Sequence, residues 1–248
     1  MASRKLAESV EQQQYFETVA VSTEPDEGTR DLGPLYPFLI SGGANTERYY
    51  FTHINNTTEY KLNIKPEHFG DESSYTEVFP NRIKEILRKN ADATIFCVFD
   101  WDTIRANTTN LKKHFQFVNQ FKVEIEQGCV VLCPSMPSIE YWFLLHFENY
   151  TSLIKSCGRK LQQMLTPYMM PYFPDSNKSL LNTLKTEKYV KNAEWVASLC
   201  ADGKLDTAVN RAEQNVAEAE INGDLNEHSY SYIYKIFRFH SETMVEGE

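Results

Sequence analysis

Residues 94–102 read Thr-Ile-Phe-Cys-Val-Phe-Asp-Trp-Asp and contain the most strand-like run of the chain. Its first six residues are apolar or β-branched without interruption, which is typical of a strand covered on both faces in a mostly parallel sheet. Asp100 and Asp102 follow directly. Because ligands of such sheets bind at the carboxyl ends of the strands, we expect the two aspartates to lie at a functional edge.

Strand-like and helix-like segments alternate on both sides of this stretch. Further strands are predicted at 36–41, 60–64 and 128–133, the last of them ended by Pro134. Helices are predicted at 46–56 and 76–89, and another carries on one face Leu111, Phe115, Val118 and Phe121. The alternation predicts an α/β fold with a mostly parallel sheet of about four strands flanked by helices.

The chain divides into three predicted regions. Residues 1–35 are polar and acidic and are predicted to be an extension that is partly helical or flexible. Residues 36–150 form the predicted α/β core, and residues 151–248 a helical region packed on it. Helices of that last region are predicted at 151–165, 178–190, 204–221 and 229–240, with a proline-rich loop at 167–174.

Composition narrows the possible functions. The 248 residues are 42% hydrophobic and 24% charged, typical of a globular protein with a sizeable core. No apolar run is long enough to cross a membrane, no signal peptide is evident, and five cysteines without a CxxC pair indicate neither a disulfide framework nor a zinc site. We therefore expect a cytoplasmic protein with no membrane association and with oligomeric state undetermined.

The net charge of −9 opposes indiscriminate binding to nucleic acid, which depends on cationic side chains. It leaves room for a local basic channel, although each small basic cluster alone is more typical of a solvated helix face. The candidate contributors are Lys84, Arg88, Lys89, Lys112, Lys113, Arg159, Lys160, Lys185, Lys188 and Lys191.

The Asp100-Trp101-Asp102 motif is a candidate metal site. In an extended chain, residues two apart project to the same side, so both carboxylates can converge while Trp101 points away. Two close carboxylates repel, and Mg²⁺ prefers oxygen ligands. In the alternative interpretation Asp102 caps the following helix and Asp100 is solvated.

The turn Gly42-Gly43-Ala44-Asn45-Thr46-Glu47 is a candidate phosphate-binding site. Small residues before a helix expose backbone N–H groups, which can hold a phosphate. The turn lacks the lysine of a P-loop, so a plain tight turn is the alternative interpretation.

The helix predicted to start after Ser138 is apolar nearly all round, with Glu140 as the exception. A carboxylate in such surroundings needs backbone N–H groups, a cation or a metal as its partner. His146 lies on a different face and is more typical of a hydrogen-bonded core histidine than of a ligand.

Together these segments resemble the RloB-like proteins, a bacterial family with a Toprim-like catalytic core that is associated with phage defence and abortive infection. The resemblance is carried by the strand-turn-Thr46-Glu47 segment, by Asp-x-Asp, and above all by the block from Ser135 to Glu148. It covers residues 36–150 well and the helical elements beyond them more loosely.

The resemblance implies that Asp100 and Asp102 hold Mg²⁺ or Mn²⁺ and that Glu140 completes the acidic metal site. One departure matters, because the family has a glutamate where this chain has Gly42. Glu47 matches the family's second glutamate and is a candidate for the missing catalytic carboxylate. Gly42, Gly43, Asn45 and Thr46 remain the candidate phosphate-binding residues.

Two functions follow from the resemblance. The first is a metal-dependent nuclease that cleaves phosphodiesters of RNA, including tRNA, or of DNA in anti-phage defence, with a partner protein of the defence system as a further expectation. The second is a catalytically degenerate protein that binds a nucleotide, a nucleic acid or a phage protein. Position 42 discriminates between the two.

Overall fold

The computed structural model describes residues 32–33, 36–43, 45–65 and 75–245. The predicted helix near the N-terminus and most of the predicted extension lie outside these residues. Within them the fold is α/β, as predicted, with a mostly parallel sheet, flanking helices and a helical C-terminal region. That this sheet is Toprim-like stays a prediction.

The sheet contains the four predicted strands and a fifth. The strands are β1 (Phe38–Ser41), β2 (Asn63–Lys65), β3 (Ile95–Asp100), β4 (Val130–Met136) and β5 (Tyr230–Ser231). Their order is β2-β1-β3-β4-β5, and every pairing is parallel except that of β4 with β5. The C-terminal region therefore contributes a strand where the sequence predicted only helix, because two residues are too few to produce a strand pattern.

The prediction that Pro134 ends its strand is wrong. β4 continues to Met136, with Pro134 opposite Phe99 and Ser135 opposite Asp100 in β3. Proline removes a backbone N–H but keeps its carbonyl, and here that oxygen accepts a hydrogen bond from the N–H of Tyr232 at 2.9 Å. β4 therefore extends as far as the end of β3.

The helices of the predicted core flank this sheet. They are α1 (Thr46–Thr57), α2 (Tyr75–Lys89), α3 (Trp101–Arg105), α4 (Thr108–Gln120), α5 (Lys122–Glu126) and α6 (Ile139–Leu145). Alternate residues of β3 enter two different hydrophobic clusters. Ile95, Cys97 and Phe99 pack against α2 and α4, whereas Phe96 and Val98 pack with α1, α6 and the C-terminal helices. The prediction that β3 is covered on both faces is confirmed.

Helix α4 is oriented differently from its prediction. His114, Phe117 and Phe121, where the helix ends, are buried, and Leu111 and Val118 are half-buried. Phe115, predicted on the core face, is 56% exposed. Phe117 takes the core position because the face that packs on the sheet is rotated away from Phe115, and the spacing pattern alone did not distinguish the two phenylalanines.

The C-terminal region contains α7 (Arg159–Met169), α8 (Leu180–Leu184), α9 (Glu187–Val190), α10 (Glu194–Cys200), α11 (Lys204–Asn222) and α12 (Tyr234–Val245). The first predicted helix starts later than expected, and Pro167, assigned to a loop, lies within α7. One hydrophobic cluster joins this region to the sheet, and Trp142 of α6 stacks on Phe237 of α12 at 5.5 Å. The boundary predicted between the two regions at residue 150 stays a prediction, but residues on both sides of it belong to the same hydrophobic cluster.

No helix in the described ranges is both long enough and apolar enough to cross a membrane.

Candidate functional site

Asp100 is the last residue of β3, and α3 begins at the next residue. The prediction that an extended chain carries both aspartates is therefore wrong, because Asp102 already belongs to the helix. Asp100 occupies the cap position of α3, but its side chain makes no capping bond. Its Oδ1 instead accepts a hydrogen bond at 3.0 Å from the backbone N–H of Ile139, which is the first residue of α6.

Three other carboxylates affect the pKa of Asp100. Burial raises the pKa of Asp100 well above its ordinary value, and the negative charges of Glu47, Glu140 and Asp102 raise it further. The hydrogen bond from Ile139 opposes the rise. The chain thus brings together the four acidic residues singled out from the sequence, from α1, the end of β3, α3 and α6.

Glu140 lies in the first turn of α6 and is only 3% exposed. Its Oε2 accepts a hydrogen bond at 2.5 Å from the hydroxyl of Ser138 and another at 3.4 Å from the thiol of Cys157. Ser138 stands at the cap position, as predicted, but its hydroxyl serves Glu140 and no backbone N–H. Two side chains therefore hold the same oxygen of this carboxylate.

Glu47 lies in the first turn of α1 and is 7% exposed. Burial, reinforced by the charge of Glu140, raises the pKa of Glu47 to about 7. Its carboxylate covers the backbone of the preceding turn, since a Cβ built on Gly43 would lie 1.7 Å from Oε2 of Glu47. Only glycine fits at position 43 while Glu47 keeps this position.

Gly42 differs from its neighbour. A Cβ at position 42 would meet nothing within 4 Å, and the backbone N–H of Gly42 donates to the carbonyl of Val98 in β3 at 3.1 Å. The position where the resemblance expects a glutamate is therefore at the end of β1, beside β3, with room for a side chain.

Asp102 is half-buried, and its Oδ2 accepts a hydrogen bond from the backbone N–H of Cys157 at 2.8 Å. Burial raises the pKa of Asp102, and that hydrogen bond opposes the rise. The positive charge of Lys185 lowers the pKa of both Asp102 and Glu47. A cation from the C-terminal region thus acts on carboxylates of the core.

The side chains predicted to bind phosphate contact the C-terminal region. Asn45 donates through Nδ2 to the carbonyl of Lys185 at 2.9 Å, and the hydroxyl of Thr46 donates to the carbonyl of Leu184 at 3.0 Å. These bonds fix the start of α1 against the end of α8, where Lys185 follows. Phosphate binding by the turn stays a prediction.

Sequence reasoning did not single out Ser138, Cys157 or Lys185 as partners of the acidic residues. Ser138 was interpreted only as a helix cap, and Lys185 was one of ten candidate cations with no pattern to distinguish it. Cys157 lies in the loop between α6 and α7, within a stretch predicted to be helical, and sequence spacing says nothing about its proximity to Glu140. All three contacts depend on how the C-terminal region and α6 pack.

His146 is a core histidine, as predicted. It is buried, its Nδ1 lies 3.0 Å from the carbonyl oxygen of Trp142, and its ring packs edge-on against the ring of Trp142. Burial lowers its pKa to about 4, so the ring is neutral at physiological pH.

The donor chemistry of the acidic residues suits a hard divalent cation. All four are carboxylates, and Asp100, Asp102 and Glu47 have raised pKa values that a nearby positive charge would lower. Within the part of the chain that is described, no three Asp, Glu, His or Cys residues are already arranged as a metal-binding group. The oxygens of Asp100, Asp102 and Glu140 accept hydrogen bonds from protein donors instead.

Comparison with known proteins identifies the family of this chain. A family model described as RloB-like protein matches residues 38–238, a range that contains all four acidic residues, Ser138, Cys157 and Lys185. Searches of curated proteins and of solved structures find no match. Because the family model covers most of the sequence, including the helical region after residue 150, the chain belongs to the RloB-like protein family.

Proposed function

We propose that this protein is a metal-dependent nuclease whose active site is the group Glu47, Asp100, Asp102 and Glu140. The observation that supports it is the mutual electrostatic effect of these carboxylates at the carboxyl end of β3. Collecting like charges in partly desolvated surroundings is unfavourable without a cation. Such groups are therefore typical of sites that bind metal ions and act on phosphates.

Asp100, Asp102 and Glu140 are the proposed ligands of Mg²⁺ or Mn²⁺. The bound metal would stabilise negative charge on the phosphate and favour formation of a nucleophilic hydroxide. Ser138 and Cys157 orient Glu140 and Asp102 through the bonds described above. The pKa of Glu47 is about 7 without metal and would be lowered by a bound cation, so at neutral pH its carboxylate would be ionised and suited to accept a proton from water. Lys185 supplies positive charge next to Glu47 and Asp102, where an anionic substrate would need it.

The test is cleavage of labelled RNA, tRNA and DNA by purified protein with Mg²⁺, Mn²⁺ or EDTA. We expect divalent-dependent cleavage, reduced by about 100-fold or more in Asp100→Asn. Asp175→Asn, the same change at an exposed residue, is the matched control and should cleave like the wild type. Equal cleavage by both variants, or cleavage that persists in EDTA, would exclude the proposed metal site.

The second candidate is a binding protein that has lost catalysis, and Gly42 is the observation that favours it. Because position 42 has room for a side chain, Gly42→Glu can be introduced without a steric clash at Cβ. If wild-type protein is inactive and Gly42→Glu creates Mg²⁺-dependent cleavage, the degenerate-enzyme proposal is supported. If wild-type protein cleaves and Asp100→Asn does not, it fails.

A cytoplasmic role in phage defence, with a partner protein of the defence system, is part of the proposal and rests on the resemblance alone. Bacteria expressing the wild type should resist phage infection better than bacteria expressing Asp100→Asn at the same protein level. Equal plaque counts would contradict a defence role that depends on this site.

A further inference from the structure

The outer face of α4 presents an aromatic ring and a lysine to solvent. Thr108, Lys112, Phe115 and Asn119 are all exposed, and their spacing of four, three and four places them along one side of the helix. We call these four residues, together with Arg105 at the end of α3, the α4 surface. Phe115 lies at the centre of the α4 surface and is 56% exposed.

The segment that carries the α4 surface contains basic residues and no acidic ones. Residues 103–121 contain Arg105, Lys112 and Lys113 and no Asp or Glu, in a protein whose net charge is −9. Their neutral side chains are rich in Asn, Gln and Thr, which hydrogen-bond to phosphate and sugar. The α4 surface is therefore locally positive and suited to a polyanion.

Two other basic clusters have partners of their own. On α2, Arg82 and Lys89 lie 3.4 and 3.3 Å from the carboxylate of Glu85. Lys160 in α7 lies over the ring of Tyr150 and hydrogen-bonds its hydroxyl. These contacts reduce the charge or the donors that a phosphate would use at those two clusters.

Trp101 connects the α4 surface with the segment that carries Asp100 and Asp102. This residue lies between Asp100 and Asp102, is half-buried, and packs edge-on against His114 with ring centres 4.9 Å apart. The ring of His114 lies 6.0 Å from that of Phe115. Asn110 also donates to the carbonyl of Thr103 at 2.8 Å, which fixes α4 on α3. A series of rings thus leads from the two aspartates to the exposed Phe115.

We propose that the α4 surface binds single-stranded nucleic acid and directs it to the acidic site. The proposal rests on the proposed function and adds its substrate class. Exposed aromatic rings stack on unpaired bases while neighbouring cations and amides bind the backbone, a combination that paired bases cannot use. Charge complementarity favours a polyanion over a second copy of this acidic chain, because two copies of this surface would oppose cation to cation.

The test is a binding assay with the full chain in EDTA, where cleavage does not interfere. Fluorescent single strands of about 12 nucleotides, one RNA and one DNA, are compared with a duplex of the same length. We expect Phe115→Ala to weaken single-strand binding by about fivefold or more. Lys112→Gln should weaken binding to all sequences and reduce the slope of log affinity against log salt by about 1.

Ile221→Ala is the control, because Ile221 is an apolar residue that is 84% exposed on α11, outside the α4 surface. It should bind like the wild type. All three substituted positions are exposed, so circular dichroism should show folded variants. Equal affinity for single-stranded RNA and DNA would mean that the surface does not distinguish ribose from deoxyribose, and it supports the proposal. Duplex binding as tight as single-strand binding contradicts it.

Failure of this inference is distinguishable from failure of the proposed function. If Phe115→Ala binds normally while wild-type protein cleaves nucleic acid, the α4 surface is wrong and the nuclease stands. If Phe115→Ala loses binding but no condition gives cleavage, the surface stands and the nuclease fails. If Phe115→Ala changes only the molecular mass in solution, the ring serves self-association and the proposal is overturned.

Discussion

Glu47→Gln should change how the stability of the metal-free protein depends on pH. Glutamine keeps the shape that covers Gly43 and removes the charge beside Glu140. The folded-state pKa of Glu47 is about 7, above its ordinary value of 4.5. Below pH 4.5 the carboxyl is neutral in both folded and unfolded chains, so it carries no penalty. As pH rises through 7, the folded chain must ionise a buried group, and stability is lost.

The magnitude follows from the pKa. A rise from 4.5 to about 7 corresponds to about 3 kcal/mol of stability lost between acidic and alkaline pH. Glu47→Gln should not show this loss. With a urea dependence of about 3 kcal/mol per M for a chain of this size, the wild-type midpoint should fall by about 1 M relative to the variant.

The assay is urea unfolding of the wild type and Glu47→Gln in EDTA at about pH 5 and pH 8.5. Comparing the two proteins removes the contributions of distant titrating groups, and the lower pKa of Asp100 without the charge of Glu47 changes the difference in the same direction. Glu218→Gln, at an exposed position of α11, is the matched control and should follow the wild type. Mg²⁺ at about 100 times its Kd should return about 3 kcal/mol to the wild type at pH 8.5 and less to Glu47→Gln.

If the wild type and Glu47→Gln lose the same stability between the two pH values, the Glu47 carboxylate is solvated and lies apart from the other carboxylates. If the two proteins differ as expected but Mg²⁺ does not stabilise the wild type, the carboxylates are close together and the proposed metal site is wrong.

Three further predictions concern single side chains. Gly43→Ala should displace the Glu47 carboxylate and weaken Mg²⁺ binding measured by calorimetry, whereas Gly42→Ala, which meets no atom, should bind like the wild type. Ser138→Ala removes a buried hydrogen bond to a site carboxylate and should lower the free energy of unfolding by about 1–3 kcal/mol, measured by urea titration. The folded-state pKa of His146 is about 4, below its ordinary value of 6.5. The contribution of the neutral ring to stability is therefore present above pH 6.5 and is lost as pH falls through 4. In the same titration, His146→Gln should lose less stability than the wild type between about pH 7 and 4.5.

The four carboxylates of the candidate site come from separate elements of the core. Hydrogen-bond donors from the helical region contact two of them. Cys157 connects two of them, with its N–H on Asp102 and its thiol on Glu140. The carbonyls that end α8 accept bonds from Asn45 and Thr46. The helical region is therefore part of the candidate active site, which is consistent with a family match that continues to residue 238.

Local features that depend on neighbours along the chain were predictable from the sequence. The apolar run before Asp100 predicted a strand covered on both faces, because both alternating sets of residues must be buried. The same run predicted that Asp100 lies at the carboxyl end of that strand. Glu140 was identifiable as a polar residue in an apolar helix that would need partners, and His146 as a core residue.

Contacts between distant segments became visible in the folded chain alone, because they depend on how its elements pack. The short β5 depends on pairing with β4, and the exposure of Phe115 depends on the rotation of α4 against the sheet. The positions of Cys157 and Lys185 beside the carboxylates depend on how the helical region packs on the core. Burial and neighbouring charge set the pKa of Glu47, and neither quantity is contained in the residues that precede or follow it.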